Sequence, residues 1–187
     1  MRLVPARTRE PQTPMDRLSA DDIAQVRDSF DRVWSESRRL TDVFYARLFE
    51  TAPEVRPLFR GNLDEQKQKF LGTLAVVVGS LENADVLMPA AATLARQHVG
   101  YGVAAEHYPV VGEALLCSLE HCLGPAWSPA TAAAWRRAYG AVTDHMILSA
   151  YTAPAGGPIR PPRPVPRAAR SLQNPQNRHS AAADTKG

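Results

Sequence analysis

Apolar side chains at Ile23, Val26, Phe30, Val33 and Trp34 recur at three- and four-residue intervals, the spacing of one face of a helix. Ser19, with Asp22 three residues on, reads as a capping box, so the ordered domain is expected to begin near Leu18. Leu40, Val43, Phe44 and Leu48 mark a second helix. Pro53 and Pro57 then bracket a tight turn ending in Leu58 and Phe59, and Gly61 with Asn62 breaks the chain at a corner. Leu63, Gln66, Phe70, Leu74, Val77 and Leu81 give the next apolar face. Pro89, at the head of a run of small residues, is read as opening the helix that carries His98, with Gly100 and Gly102 weakening its end. Two long amphipathic helices follow, Ala104 to Leu123 and Trp127 to Tyr151, the first carrying Val111, Leu115 and Leu119 and the second Trp135, Tyr139, Val142 and Met146. No segment alternates as a strand does, which predicts an all-α domain over residues 18–151.

Composition changes abruptly at both ends. Residues 1–17 hold no helical pattern, and after Tyr151 closely spaced prolines remove amide donors while few large apolar side chains remain to be buried. We therefore expect a disordered N-terminal arm over 1–17 and a disordered Pro/Arg-rich tail over 152–187. The tail is either a plain extension or a weak tether to an acidic surface or partner. The formal charge of +3 belongs to these ends, because residues 18–151 carry 12 basic against 16 acidic side chains. That distribution argues against nucleic-acid binding by the folded part. The N-terminus has no apolar run of a signal peptide, and the longest apolar stretch, Leu74 to Val78, is too short to cross a bilayer, so a cytoplasmic protein is expected. Cys117 and Cys122 stand five apart on one predicted helix, which turns them to different faces and suits buried thiols better than a disulfide or a metal pair.

The chemistry-bearing candidate is His98, an imidazole on a mostly apolar helical surface with Tyr108 ten residues downstream. Imidazole is a common neutral ligand for iron, although a lone histidine on such a helix is more often a hydrogen-bonded core or surface residue. His107, His121 and His145 read as surface or packing residues.

Taken together, the segments Phe44-Tyr45-Ala46-Arg47-Leu48-Phe49 and Pro53-Glu54-Val55-Arg56-Pro57-Leu58-Phe59, the pair Gln66 and Phe70, and the stretch from His98 to Gly112 form a larger pattern. The chain resembles a bacterial single-domain haemoglobin, similar to the globin domain of flavohaemoglobins, over roughly Leu18 to Tyr151. Trp135 with Ala138-Tyr139-Gly140 extends the likeness. The resemblance implies a globin fold packed around haem b, with His98 as the proximal ligand of the iron. It implies that Phe59 packs on the haem face, that Tyr45 is the distal phenol donating a hydrogen bond to dioxygen, and that Gln66 faces the same ligand with Phe70 as an apolar wall. Lys69 could meet a haem propionate but is read as a surface lysine.

Tyr108 matches a tyrosine beside the proximal imidazole that, in flavohaemoglobins, works with a glutamate of the last helix. The matching position here is Ala150, so strong proximal electron donation and peroxidase-like activity are not expected. Beyond Tyr151 the sequence does not supply flavin and nicotinamide domains, and electrons are expected from a separate reductase. The implied ligands are dioxygen, nitric oxide and carbon monoxide, and the implied activities are reversible dioxygen binding and, with a reductase, dioxygenation of nitric oxide to nitrate. A homodimer is compatible with the sequence. Two other readings stand beside this one: a haem-based gas or redox sensor acting on a partner through the basic ends, and a globin-like interaction module without haem.

Overall fold

Among the described residues six α-helices pack together: α1 (Ala20–Trp34), α2 (Ser37–Thr51), α3 (Leu63–Gly79), α4 (Ala84–Gly100), α5 (His107–Leu123) and α6 (Pro129–Tyr151). The computed structural model describes Met15 and residues 18–151 and shows no strand among them; the arm expected over 1–17, apart from Met15, and the tail expected over 152–187 lie outside the described residues. Helix α2 packs on α5, α4 on α6 and α1 on α6. Phe44, Leu40, Leu48, Leu87 and Leu119 are wholly buried between them. No helix among the described residues is long and apolar enough to cross a membrane.

The start of α1 is the predicted capping box: Ser19 Oγ accepts from the Asp22 amide, and Asp22 Oδ2 accepts from the Ser19 amide, each at 3.1 Å. Asp22 does more than cap. Arg137 of α6 donates to it from Nε at 3.0 Å and from a second guanidinium nitrogen, tying the first helix to the last. That guanidinium, with the Ser19 donors, holds the Asp22 carboxyl at about 2, below its usual 3.8. A carboxyl whose folded value is lowered stabilises the fold above its unfolded value and loses that contribution as pH falls through the folded one. The domain is thus expected to lose urea resistance between about pH 4 and about pH 2, and Asp22→Asn should flatten that part of the urea-midpoint profile.

Higher on the same interface the Trp135 indole donates to Ser29 Oγ at 2.8 Å, satisfying its one polar atom in the core. Helices α5 and α6 approach closely at Gly112, where an added Cβ would lie 2.6 Å from the Tyr139 ring. The absence of a side chain there lets that ring reach the α5 backbone.

Several expected boundaries shift. The helix bearing His98 begins at Ala84, capped by Asn83, whose side chain accepts from the Val86 amide, and Pro89 lies inside it. Pro89 is the sixth residue of the helix and forgoes one backbone bond there, and the helix continues past it to Gly100. Helix α5 starts at His107 and not Ala104, because the His107 imidazole accepts from the Ala104 amide through Nδ1 at 3.1 Å and closes a turn ahead of the helix. Helix α6 starts at Pro129, with Ser128 Oγ accepting from the Thr131 amide at 3.0 Å, while Gly124–Ala126 forms a short 3-10 turn. Leu63 is exposed at the first position of α3, outside the core face assigned to it, and Trp34 is half exposed, tilted against Phe30. Cys117 and Cys122 are free and half-buried, less enclosed than expected.

Candidate functional site

Helix α4 ends in a Schellman motif that places His98 at its base. The Val103 amide donates to the His98 carbonyl and the Gly102 amide to that of Val99, both at 3.0 Å, with Gly102 in the left-handed region at φ 88°. The glycines read as weakening the helix thus include its stop signal. A side chain at Gly102 would be strained, so Gly102→Ala is expected to destabilise the domain by about 1–2 kcal/mol, read as a lowered urea midpoint at unchanged slope.

The His98 ring is half-buried. Its Nδ1 lies 2.9 Å from the Leu94 carbonyl. A carbonyl only accepts, so the proton resides on Nδ1, and Nε2 presents its lone pair with no hydrogen-bond partner among the described residues. This is the tautomer a metal ligand needs. Tyr108 from α5 lies nearly parallel to the imidazole, at an interplanar angle of 18° with ring centroids 6.1 Å apart. Tyr108 is buried, its hydroxyl makes no well-formed hydrogen bond among the described residues, and burial, with the Tyr151 hydroxyl beside it, pushes its phenol well above the usual range. The Ala150 side of α6 offers a phenol in place of a carboxylate: the Tyr151 hydroxyl donates to the Val103 carbonyl at 2.6 Å.

A second cluster forms around Tyr45, which is 2% exposed on α2. Phe59 meets it edge-on at 5.5 Å and Phe70 at 6.1 Å, while Phe44 stacks on Phe70 at 4.2 Å. The Tyr45 hydroxyl donates to the backbone carbonyl of Gln66 at 3.5 Å, at the long limit of such a bond, and burial pushes its phenol up to about 12. It therefore remains a neutral donor with a weak partner. Gln66 is half-buried and meets Tyr45 through its backbone. Lys67 bonds Asp42 at 2.6 Å and fixes the start of α3 over α2, keeping Gln66 in place.

Between α3 and α4 opens a cleft of about 730 Å³, within the range of small-molecule and cofactor sites. Gly72, Thr73 and Val76 form one wall and Ala90 and Leu94 the other, with Leu87 and Val142 at its base and Lys69 on its rim. Val76 is 62% exposed, and a Cβ placed on Gly72 would meet nothing within 4 Å. The six side chains singled out from sequence are not themselves on these walls. They fall into two groups, His98 with Tyr108 and Tyr45 with Phe59, Phe70 and the Gln66 backbone, and no ring contact joins the groups among the described residues. The wall residues escaped the sequence reading; an apolar Val76 one turn past Gly72, facing out of the core, was the available signal.

The globin family profile matches residues 42–146, more than half of the chain, and the chain belongs to the globin family. It is 33% identical over 133 residues to a flavohemoprotein of Rhodopirellula baltica, covering 70% of this chain and 33% of that protein. It is 36% identical over 111 residues to a flavohemoprotein of Chromobacterium violaceum, covering 58% of this chain and 28% of that one. The chain thus spans about a third or less of these relatives. Among solved structures it is similar to a bacterial globin from Campylobacter jejuni, at 29% identity and a TM-score of 0.62, covering 72% of this chain and 97% of that one. An engineered carbene transferase from Rhodothermus marinus gives 29% identity and a TM-score of 0.63, covering 69% and 90%.

The residues present fit a haem. Haem asks one neutral nitrogen ligand of the protein and apolar walls for its ring. The free Nε2, the apolar slot and the open space before Gly72 meet that requirement.

Proposed function

We propose that this globin binds haem b through His98, takes up dioxygen, nitric oxide and carbon monoxide, and converts nitric oxide to nitrate when a separate reductase supplies electrons. The observation that carries the reading is the His98 imidazole, proton fixed on Nδ1 and lone pair free on Nε2, on the same helix that forms one wall of an apolar cleft. Haem, when bound, supplies a redox-active iron with a position for a diatomic gas.

This chain's residues do the rest. Leu94 holds the imidazole in one tautomer, and Tyr108 packs on its ring. Tyr45 stays protonated throughout the neutral range and can turn its O–H from the weak Gln66 carbonyl to a gas in the pocket. Phe59 and Phe70 wrap that phenol in hydrocarbon and exclude competing water. Gln66, at the head of α3, is assigned to the same distal side. Conversion of nitric oxide and dioxygen to nitrate balances with a single electron and needs no proton, so the chain's task is to hold and polarise dioxygen. The names of the flavohemoproteins and the nitric oxide dioxygenase assignment carried in the name of the Rhodothermus marinus structure support this reading.

The test is nitrate formation. Haem-loaded protein given a flavin reductase, reduced nicotinamide and aerated buffer should turn added nitric oxide into nitrate at a rate proportional to protein. Nitrate formation no faster than in buffer with reductase alone would contradict the dioxygenation.

A further inference from the structure

Helix α6 meets the segment from Val103 to Tyr108 with two phenols, and each makes a short bond to a backbone carbonyl. Tyr139 donates to the Tyr108 carbonyl and Tyr151 to the Val103 carbonyl, both at 2.6 Å. The Val103 amide in turn donates to the His98 carbonyl at 3.0 Å. Two consecutive hydrogen bonds therefore lead from the end of α6 to the backbone of His98, and a third holds the residue stacked on its ring. The Tyr139 ring occupies the space that a Cβ on Gly112 would take.

The Tyr108 hydroxyl lies beside that of Tyr151, whose own proton is committed to Val103. The Tyr108 hydroxyl is buried and makes no well-formed hydrogen bond among the described residues, and His98 Nδ1 is already occupied by Leu94. A hydroxyl that oriented the imidazole would be paired with it or with its tether. The Tyr151 hydroxyl directs its proton to Val103, and Ala150 brings no acceptor from the last helix.

We propose that Tyr151, assisted by Tyr139, is the positioning residue of His98, acting by its hydroxyl through Val103, and that Tyr108 contributes only its ring. The inference rests on the assignment of His98 as the haem ligand. It makes an unusual ordering of two conservative variants: loss of the distant Tyr151 hydroxyl matters to His98, and loss of the adjacent Tyr108 hydroxyl does not.

The experiment compares Tyr151→Phe and Tyr108→Phe in the full chain, haem-loaded and reduced, by the iron–histidine stretching band in resonance Raman and by exchange of the Val103 amide. Tyr151→Phe is expected to shift or broaden the band and to speed Val103 exchange about tenfold, with amides of α1 unchanged. Tyr108→Phe should leave both at the wild-type values. A band unmoved in Tyr151→Phe, or one moved equally by Tyr108→Phe, overturns the proposal. Should Tyr151→Phe fail to fold, Tyr139→Phe takes its place with the same expectations for the band, and the Tyr108→Phe arm decides independently. A wild-type chain that takes up no haem fails the functional reading at its absorption spectrum, before any tyrosine is changed. Val103 exchange in that apoprotein still reports whether Tyr151 holds the turn.

Discussion

His98→Ala is expected to weaken haem retention by at least about 100-fold, since changes one step removed from a metal ligand already cost ten- to a hundredfold in affinity. The measurement is the rate at which a haem-scavenging apoprotein strips the variant compared with the wild type. Helix α4 should persist in the variant, because its end is built from backbone bonds at Val99, Gly102 and Val103 that need no imidazole. The residual apolar cleft would still attract a porphyrin weakly. His98→Gly with added imidazole separates ligation from folding: the free base can enter the vacated space and restore retention, which a misfolded chain would not allow. Retention in His98→Ala equal to that of the wild type would move the ligand elsewhere in the chain.

Tyr45→Phe should release dioxygen roughly ten- to a hundredfold faster, with carbon monoxide release changed by much less. The reason is charge. Dioxygen in such a pocket draws partial negative charge and carbon monoxide far less, and a hydrogen bond to a charged acceptor is worth about 1.5–3 kcal/mol. Tyr45 has little to lose by turning, because its present bond to the Gln66 carbonyl is 3.5 Å long. The same length predicts that Tyr45→Phe leaves stability almost unaltered. Stopped-flow displacement of dioxygen by carbon monoxide reads the effect. Equal dioxygen release from variant and wild type would transfer the donor role to Gln66, whose side chain shares that end of α3.

The fold was legible where its signals are local. The Ser19 and Asp22 capping box, the apolar faces of α1 to α6 apart from Trp34 and Leu63, and the break at Gly61-Asn62 all act within a turn or two, and the structure reproduces them. Boundaries failed where a local sign had two meanings. Pro89 reads equally as a first-turn residue or as an interruption, and the better cap, Asn83, precedes it by six positions. The start of α5 depended on an imidazole accepting from Ala104, which apolar spacing does not register.

Of the candidate site, the approach of Tyr108 to His98 followed from a pattern spread over many residues, whereas the aromatic pairings of Tyr45 with Phe59 and Phe70 belong to the packing. The α3 wall at Gly72 and Val76 did not follow either, because a sequence shows which residues are apolar but not that one of them faces an open slot. Bonds such as Tyr151 to Val103 and Arg137 to Asp22 span 48 and 115 residues and belong to the packing alone.

The central claim is that His98 and the α3–α4 cleft together hold one haem that binds gas. The most direct measurement is a haem titration of the purified full chain, followed by absorption spectra of the reduced protein with and without carbon monoxide. The account predicts saturation at one haem per chain and a Soret band that shifts sharply on adding carbon monoxide. Failure to take up haem, or a reduced spectrum indifferent to carbon monoxide, would contradict it.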